Sequence, residues 1–130
     1  MTTTLAKPVF DFTLAYVADP LKSADLYAGI LGFEAVDKAP TFSMFVLPNG
    51  HKLGFWLKQD VVPLANPAGG MEMCLTEPDE DAVWARAEIF VNLGLKILQE
   101  PTTMDFGFTF TAADPDGHRI RVFTPTPDAR

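Results

Sequence analysis

The chain has 130 residues, 48% hydrophobic and 21% charged, which suits one compact domain burying about two thirds of its unfolded surface. Ten Lys and Arg against 17 Asp and Glu leave a net charge of −7, the wrong sign for neutralising phosphates or anionic lipid heads, so neither nucleic acid nor a membrane surface is expected as a partner. No segment approaches the ~20 apolar residues of a membrane span, and Asp11 interrupts the first apolar stretch before signal-peptide length. Cys74 is the only cysteine, which forbids an internal disulfide; flanked by Met73 and Leu75 it reads as a small core residue, and a cytoplasmic location is expected.

Residues 8–17 alternate and are rich in Val, Phe, Tyr and Thr, which predicts a strand ending at Asp19-Pro20. Residues 21–31 place Leu21, Ala24, Ala28 and Leu31 on one helical face, with Gly32 as the stop. A short strand is expected over 33–36, then two strands, 42–47 and 51–58, joined across Pro48-Asn49-Gly50. Residues 59–70 lose all periodicity among Pro63, Asn66, Pro67, Gly69 and Gly70 and read as a linker.

The same order then repeats. A strand over 71–77 leads to a helix over 78–93, opened by the acidic run from Glu77 to Asp81 and closed by Gly94. A strand over 95–98 and a pair around Asp114-Pro115-Asp116-Gly117 complete the second unit. The repeat is visible in letters too: Leu31-Gly32-Phe33 matches Leu93-Gly94-Leu95, and Gly50-His51-Lys52-Leu53 matches Gly117-His118-Arg119-Ile120. The expected architecture is a single α+β domain of two tandem βαβββ modules, 8–58 and 71–124. Each module alone would leave one sheet face bare.

This order, with Val17-Ala18-Asp19-Pro20-Leu21-Lys22-Ser23, the stretch ending in Leu31-Gly32-Phe33, and Asp114-Pro115-Asp116-Gly117, resembles the vicinal oxygen chelate superfamily of glyoxalases, dioxygenases and antibiotic-resistance proteins. The resemblance implies sheets curved around a cavity, helices outside, and a homodimer with cavities near or across the subunit interface. Metal-dependent members carry His, Gln or Glu ligands on the first strand of each module and Glu on the last. Those positions fall here on Phe12, Glu72, Gly54 and Arg121. One carboxylate beside an arginine is a poor site for a hard cation, so neither a metal nor another cofactor is expected. Within the superfamily the likeness is closest to phenazine-antibiotic resistance proteins. It rests on Tyr16-Val17, Gly54-Phe55-Trp56, Glu100-Pro101, Phe106-Gly107, Thr109-Phe110 and residues 114–122. It implies a protein that sequesters a planar aromatic molecule without catalysing a reaction.

If Phe12 and Arg121 face the cavity as that family implies, alternation brings Phe10, Leu14 and Tyr16 to the same face, with Gly54 and Trp56 on the matching strand. A two-residue turn on Asn49-Gly50 would send Ser43 and Phe45 inward, whereas a turn starting at Pro48 sends Phe42 and Met44 inward. Pro48 favours the second, because its ring fixes φ as the first central position of a type I turn requires. Trp56 is the expected stacking residue, with space left beside it by Gly54. Phe12, Phe42, Met44 and Phe106 would line the slot, and Arg121 with Thr111 would hold its polar edge. Two alternatives stay open for Arg121: a ligand carboxylate, or Glu72 within the protein. His51, His118, Asp114 and Asp116 read as turn residues, and Trp84 as helix-to-sheet packing. The rival function is enzymatic: a metal-dependent lyase or dioxygenase, or a metal-free isomerase with Glu72 as base.

Overall fold

Alternation of apolar and polar residues in Phe12–Val17 makes the first strand, β1; its Ala15 and Val17 are buried while Phe12, Leu14 and Tyr16 point to the open side. The computed structural model describes residues 4–127. Asp19 caps the helix that follows, α1 (Pro20–Leu31), by accepting from Lys22 N at 3.2 Å; Gly32 closes it with φ 85° and an N–H donated to Ala28 O. Three strands complete the first unit: β2 (Asp37–Lys38), β3 (Phe42–Val46) and β4 (Lys52–Leu57). After a single 3-10 turn at Lys58–Asp60 and an irregular connection, the pattern returns as β5 (Glu72–Thr76), α2 (Glu80–Asn92), β6 (Lys96–Met104), β7 (Gly107–Ala113) and β8 (Arg119–Pro125). In α2 the Asp79 carboxylate caps Ala82 N at 2.8 Å, and Glu80 and Asp81 sit in the first turn, where the helix dipole favours negative charge.

The strands form two four-stranded sheets, ordered β1-β4-β3-β2 and β5-β8-β7-β6, with β1 parallel to β4 and β5 parallel to β8. Each helix covers one face of its own sheet. A single apolar cluster joins them, including Phe45 and Phe55 from the first unit and Phe90 and Phe110 from the second. Polar contacts also tie the units together. Tyr27 of α1, 1% exposed, donates its hydroxyl to Asp114 Oδ2 at 2.7 Å; burial and the Asp114 carboxylate push the phenol well above the usual tyrosine range. Asp114 Oδ1 meanwhile accepts from Asp116 N and His118 N, both at 2.9 Å, shaping the turn before β8.

The Pro48 register is the one observed. Gly50 N donates to Leu47 O at 2.8 Å around a turn with Pro48 second, and Gly50 takes φ 89°. Met44 therefore pairs with Gly54 and Phe42 with Trp56 on the open face, while Ser43 and Phe45 are buried beneath α1.

Several expectations are corrected. The first strand begins at Phe12, not at residue 8, and no strand forms over 33–36; β2 lies just beyond, at Asp37–Lys38. The buried stripe of α1 is Pro20, Ser23, Ala24, Tyr27 and Ile30, because Tyr27 must reach Asp114; Leu21 is 38% exposed. The strand expected over 95–98 continues through Pro101 to Met104. Cys74 alternates with the inward Met73 and Leu75, so it stands exposed on the open side of β5. Trp84 meets Phe108 with ring centroids 6.0 Å apart but remains 54% exposed.

Candidate functional site

On the open face of the first sheet, rings converge on Gly54. A Cβ there would lie 2.8 Å from Leu14 Cδ2 and Phe42 Cζ and 3.0 Å from Phe12 Cε1. The expected space beside Trp56 is thus filled by these three neighbours, and Gly54 is what allows them to meet. Tyr16, cross-strand from Trp56, meets the indole edge-on at 6.3 Å.

On the open face of the second sheet Arg121 is held by its own chain. Nε and Nη2 donate to the two Glu72 oxygens at 2.9 and 3.0 Å, and Nη1 donates to Gln99 Oε1 at 3.0 Å and Thr109 Oγ1 at 3.2 Å. Four of the five guanidinium N–H groups are thereby engaged. Thr111 donates to the same Gln99 oxygen at 3.2 Å, and the Phe106 ring covers the guanidinium at 5.6 Å while meeting Phe123 edge-on. The hydrogen bonds from Arg121 hold the Glu72 carboxyl below its usual range. Of the two alternatives for Arg121, the structure shows the internal ion pair.

Gln99 anchors this network, and sequence reading did not single it out. Its neighbour Ile97 packs on the core, so strict alternation would send Gln99 there as well. The β6 register slips between Ile97 and Gln99, placing Gln99 opposite Thr111 on the open side; a second slip follows before Thr102, around Pro101.

Because β1 and β5 are edge strands of their sheets, their free edges bound a groove of about 710 Å³. Phe10, Leu14 and Tyr16 line one side and Glu72 and Cys74 the other; Lys58, His118 and Arg119 also border it. The second unit is fastened to β1 beside this groove: Asp116 Oδ1 accepts from Ala18 N at 2.8 Å. His118 Nε2 lies 2.9 Å from the Tyr16 carbonyl oxygen, which fixes that nitrogen as the protonated donor. His51 is likewise more than a turn residue, being half-buried with Nε2 2.7 Å from Thr13 Oγ1. Of the expected site residues only Glu72 borders the groove. Trp56 stands one ring behind its wall, through Tyr16. Phe12, Phe42 and Met44 lie on the first sheet, and Arg121, Thr111 and Phe106 belong to the network on the second.

Residues 9–122 match the family model of the glyoxalase/bleomycin resistance protein/dioxygenase superfamily. The chain belongs to this superfamily. The phenazine antibiotic resistance protein EhpR of Enterobacter agglomerans is 29% identical over 124 residues, covering 92% of this chain and 96% of that protein. A solution NMR structure of an Agrobacterium tumefaciens protein is 41% identical with TM-score 0.83, covering 94% of this chain and 99% of that one. A glyoxalase-related enzyme from Fulvimarina pelagi shares the fold at 24% identity, with TM-score 0.81 and 96% of each chain covered.

Where metal-dependent glyoxalase-superfamily members hold a divalent cation, the residues here do not fit one. Phe12 and Gly54 bring no donor, and the Glu72 carboxylate is engaged at both oxygens by the cation of Arg121. Among the described residues no three His, Cys, Asp or Glu side chains converge as a metal-holding group. No described helix is long and apolar enough to cross a membrane.

Proposed function

We propose that this protein binds and sequesters a planar aromatic molecule without the help of a metal, using the groove between β1 and β5. The observation that carries this reading is the groove itself: about 710 Å³, walled on one side by Phe10, Leu14 and Tyr16, with the Trp56 indole supporting the Tyr16 ring. A flat ring system slides against such a wall and gains stacking and dispersion. Phe12, Phe42 and Met44 extend the apolar surface next to Trp56, and Phe106 and Thr111 brace the Arg121 network that shapes the opposite wall. The likeness to a phenazine antibiotic resistance protein supports a tricyclic aromatic as the ligand class and resistance as the purpose.

The reading includes a homodimer, supported by a row of exposed apolar side chains, with Phe10 80%, Phe12 39% and Leu14 44% exposed, which a second copy would shelter. It also includes action in the cytoplasm, in keeping with a lone unpaired thiol. The test is a tryptophan-emission titration of chelator-treated protein with phenazine-1-carboxylic acid. Saturable quenching, largely lost in Trp56→Phe, is expected, since Trp84 lies on α2 against Phe108 and is not among the residues that line the groove. Absence of quenching, or quenching only after a divalent metal is restored, would overturn the reading.

A further inference from the structure

Charged side chains of both signs border the groove. Of the carboxylates at its border, Glu72 is paired with Arg121 through both oxygens, while Asp116 accepts from the backbone N–H of Ala18 and keeps its charge. Its two border cations, Lys58 and Arg119, form no ion pair or side-chain hydrogen bond among the described residues. A chain of net charge −7 thus presents two cations without an ion-pair partner, against the single unpaired carboxylate of Asp116, beside an apolar wall. Arg121, the cation at the family's ligand position, has a single N–H left and lies under Phe106.

We propose that the groove selects planar aromatic anions, with Arg119, assisted by Lys58, holding the negative edge and Arg121 acting only as scaffold. This rests on the reading of the groove as an aromatic-binding site and adds the charge of its ligand and the residue that reads it. The placement of Arg119 suits this role, because it is exposed and pairs in register with Glu72 across β5 and β8, so its fork stands at the rim while the rings lie against Tyr16. A guanidinium offers a carboxylate two parallel N–H donors, and at an exposed rim such a contact changes affinity by about tenfold.

The test compares phenazine-1-carboxylate with its neutral carboxamide, by calorimetry on chelator-treated wild type, Arg119→Gln and Arg119→Lys. Wild type should prefer the acid by about tenfold, with the preference shrinking as salt is raised. Arg119→Gln should lose most of the preference, Lys58 keeping the remainder, with the carboxamide affinity unchanged, and Arg119→Lys should recover part of what is lost. Equal binding of both compounds by wild type, or a preference undiminished in Arg119→Gln, would overturn the assignment while leaving the aromatic site standing. Binding of neither compound by wild type would overturn both.

Discussion

Replacing Tyr27 by Phe removes one hydrogen bond and nothing else of size, so its effect can be worked out from the structure. The lost donor serves a buried carboxylate at 2.7 Å, and Asp114 is only 6% exposed, leaving Oδ2 short of a partner that water cannot readily replace. Such a loss costs about 2–3 kcal/mol. With an unfolding entropy of ~2.1 cal/mol/K per residue, that lowers Tm by about 7–11 °C for a chain of this length. The pH dependence gives a second reading. The folded phenol ionises well above its ordinary value of 10.0, so its stabilising contribution is complete below that pH and lost as pH rises. Wild type should therefore lose up to about 1.4 kcal/mol per pH unit in excess of Tyr27→Phe, and the two stability curves should converge. Urea unfolding followed by circular dichroism from neutral to alkaline pH measures both. A variant melting within about 2 °C of wild type, with the same alkaline slope, would refute the role given to this contact.

Three further outcomes follow from named contacts. Glu72→Gln should blunt the acid sensitivity of stability: the native carboxyl lies below its ordinary 4.5, so its contribution is present above that pH and disappears as pH falls further, which acid-range urea midpoints would show. Gly107→Ala should cost more than about 3 kcal/mol or abolish soluble expression, since φ is 151° and the new Cβ would fall on the Thr124 carbonyl oxygen; a near-native melting curve would contradict this. Cys74, exposed as a residue but with its thiol raised above the ordinary value by partial desolvation and then by the nearby Glu72 carboxylate, should alkylate more slowly than a free cysteine. Bound aromatic should slow it further, because the thiol borders the groove; mass spectrometry of the labelled protein would register both effects.

Local chemistry made much of the fold readable. Pro48 and Gly50 carried the hairpin register and with it the facing of Phe42 and Met44, because a proline φ and a left-handed glycine admit one turn there. The two helices announced themselves through Asp19-Pro20 and Gly32, and through the acidic run from Glu77 to Asp81 and Gly94. The α1 stripe was misjudged because Tyr27 is buried for a hydroxyl contact with a residue 87 positions away, which apolar periodicity does not register. Gln99 was hidden by a bulge that reverses alternation, and Cys74 by apolar neighbours that face the other way. The groove was hidden more deeply. It is bounded by the free edges of strands belonging to different sheets, and strand patterns report which face a residue takes, not which edges meet.

The location of the site is open to direct measurement by mapping amide chemical shifts of ¹⁵N-labelled, chelator-treated protein during titration with phenazine-1-carboxylate. Shifts should concentrate at residues 13–16 of β1 and 72–74 of β5, with Arg119 among them and the outer faces of α1 and α2 unmoved. Perturbation centred elsewhere, or none until a divalent metal is added, would contradict a metal-free aromatic site between the two edge strands.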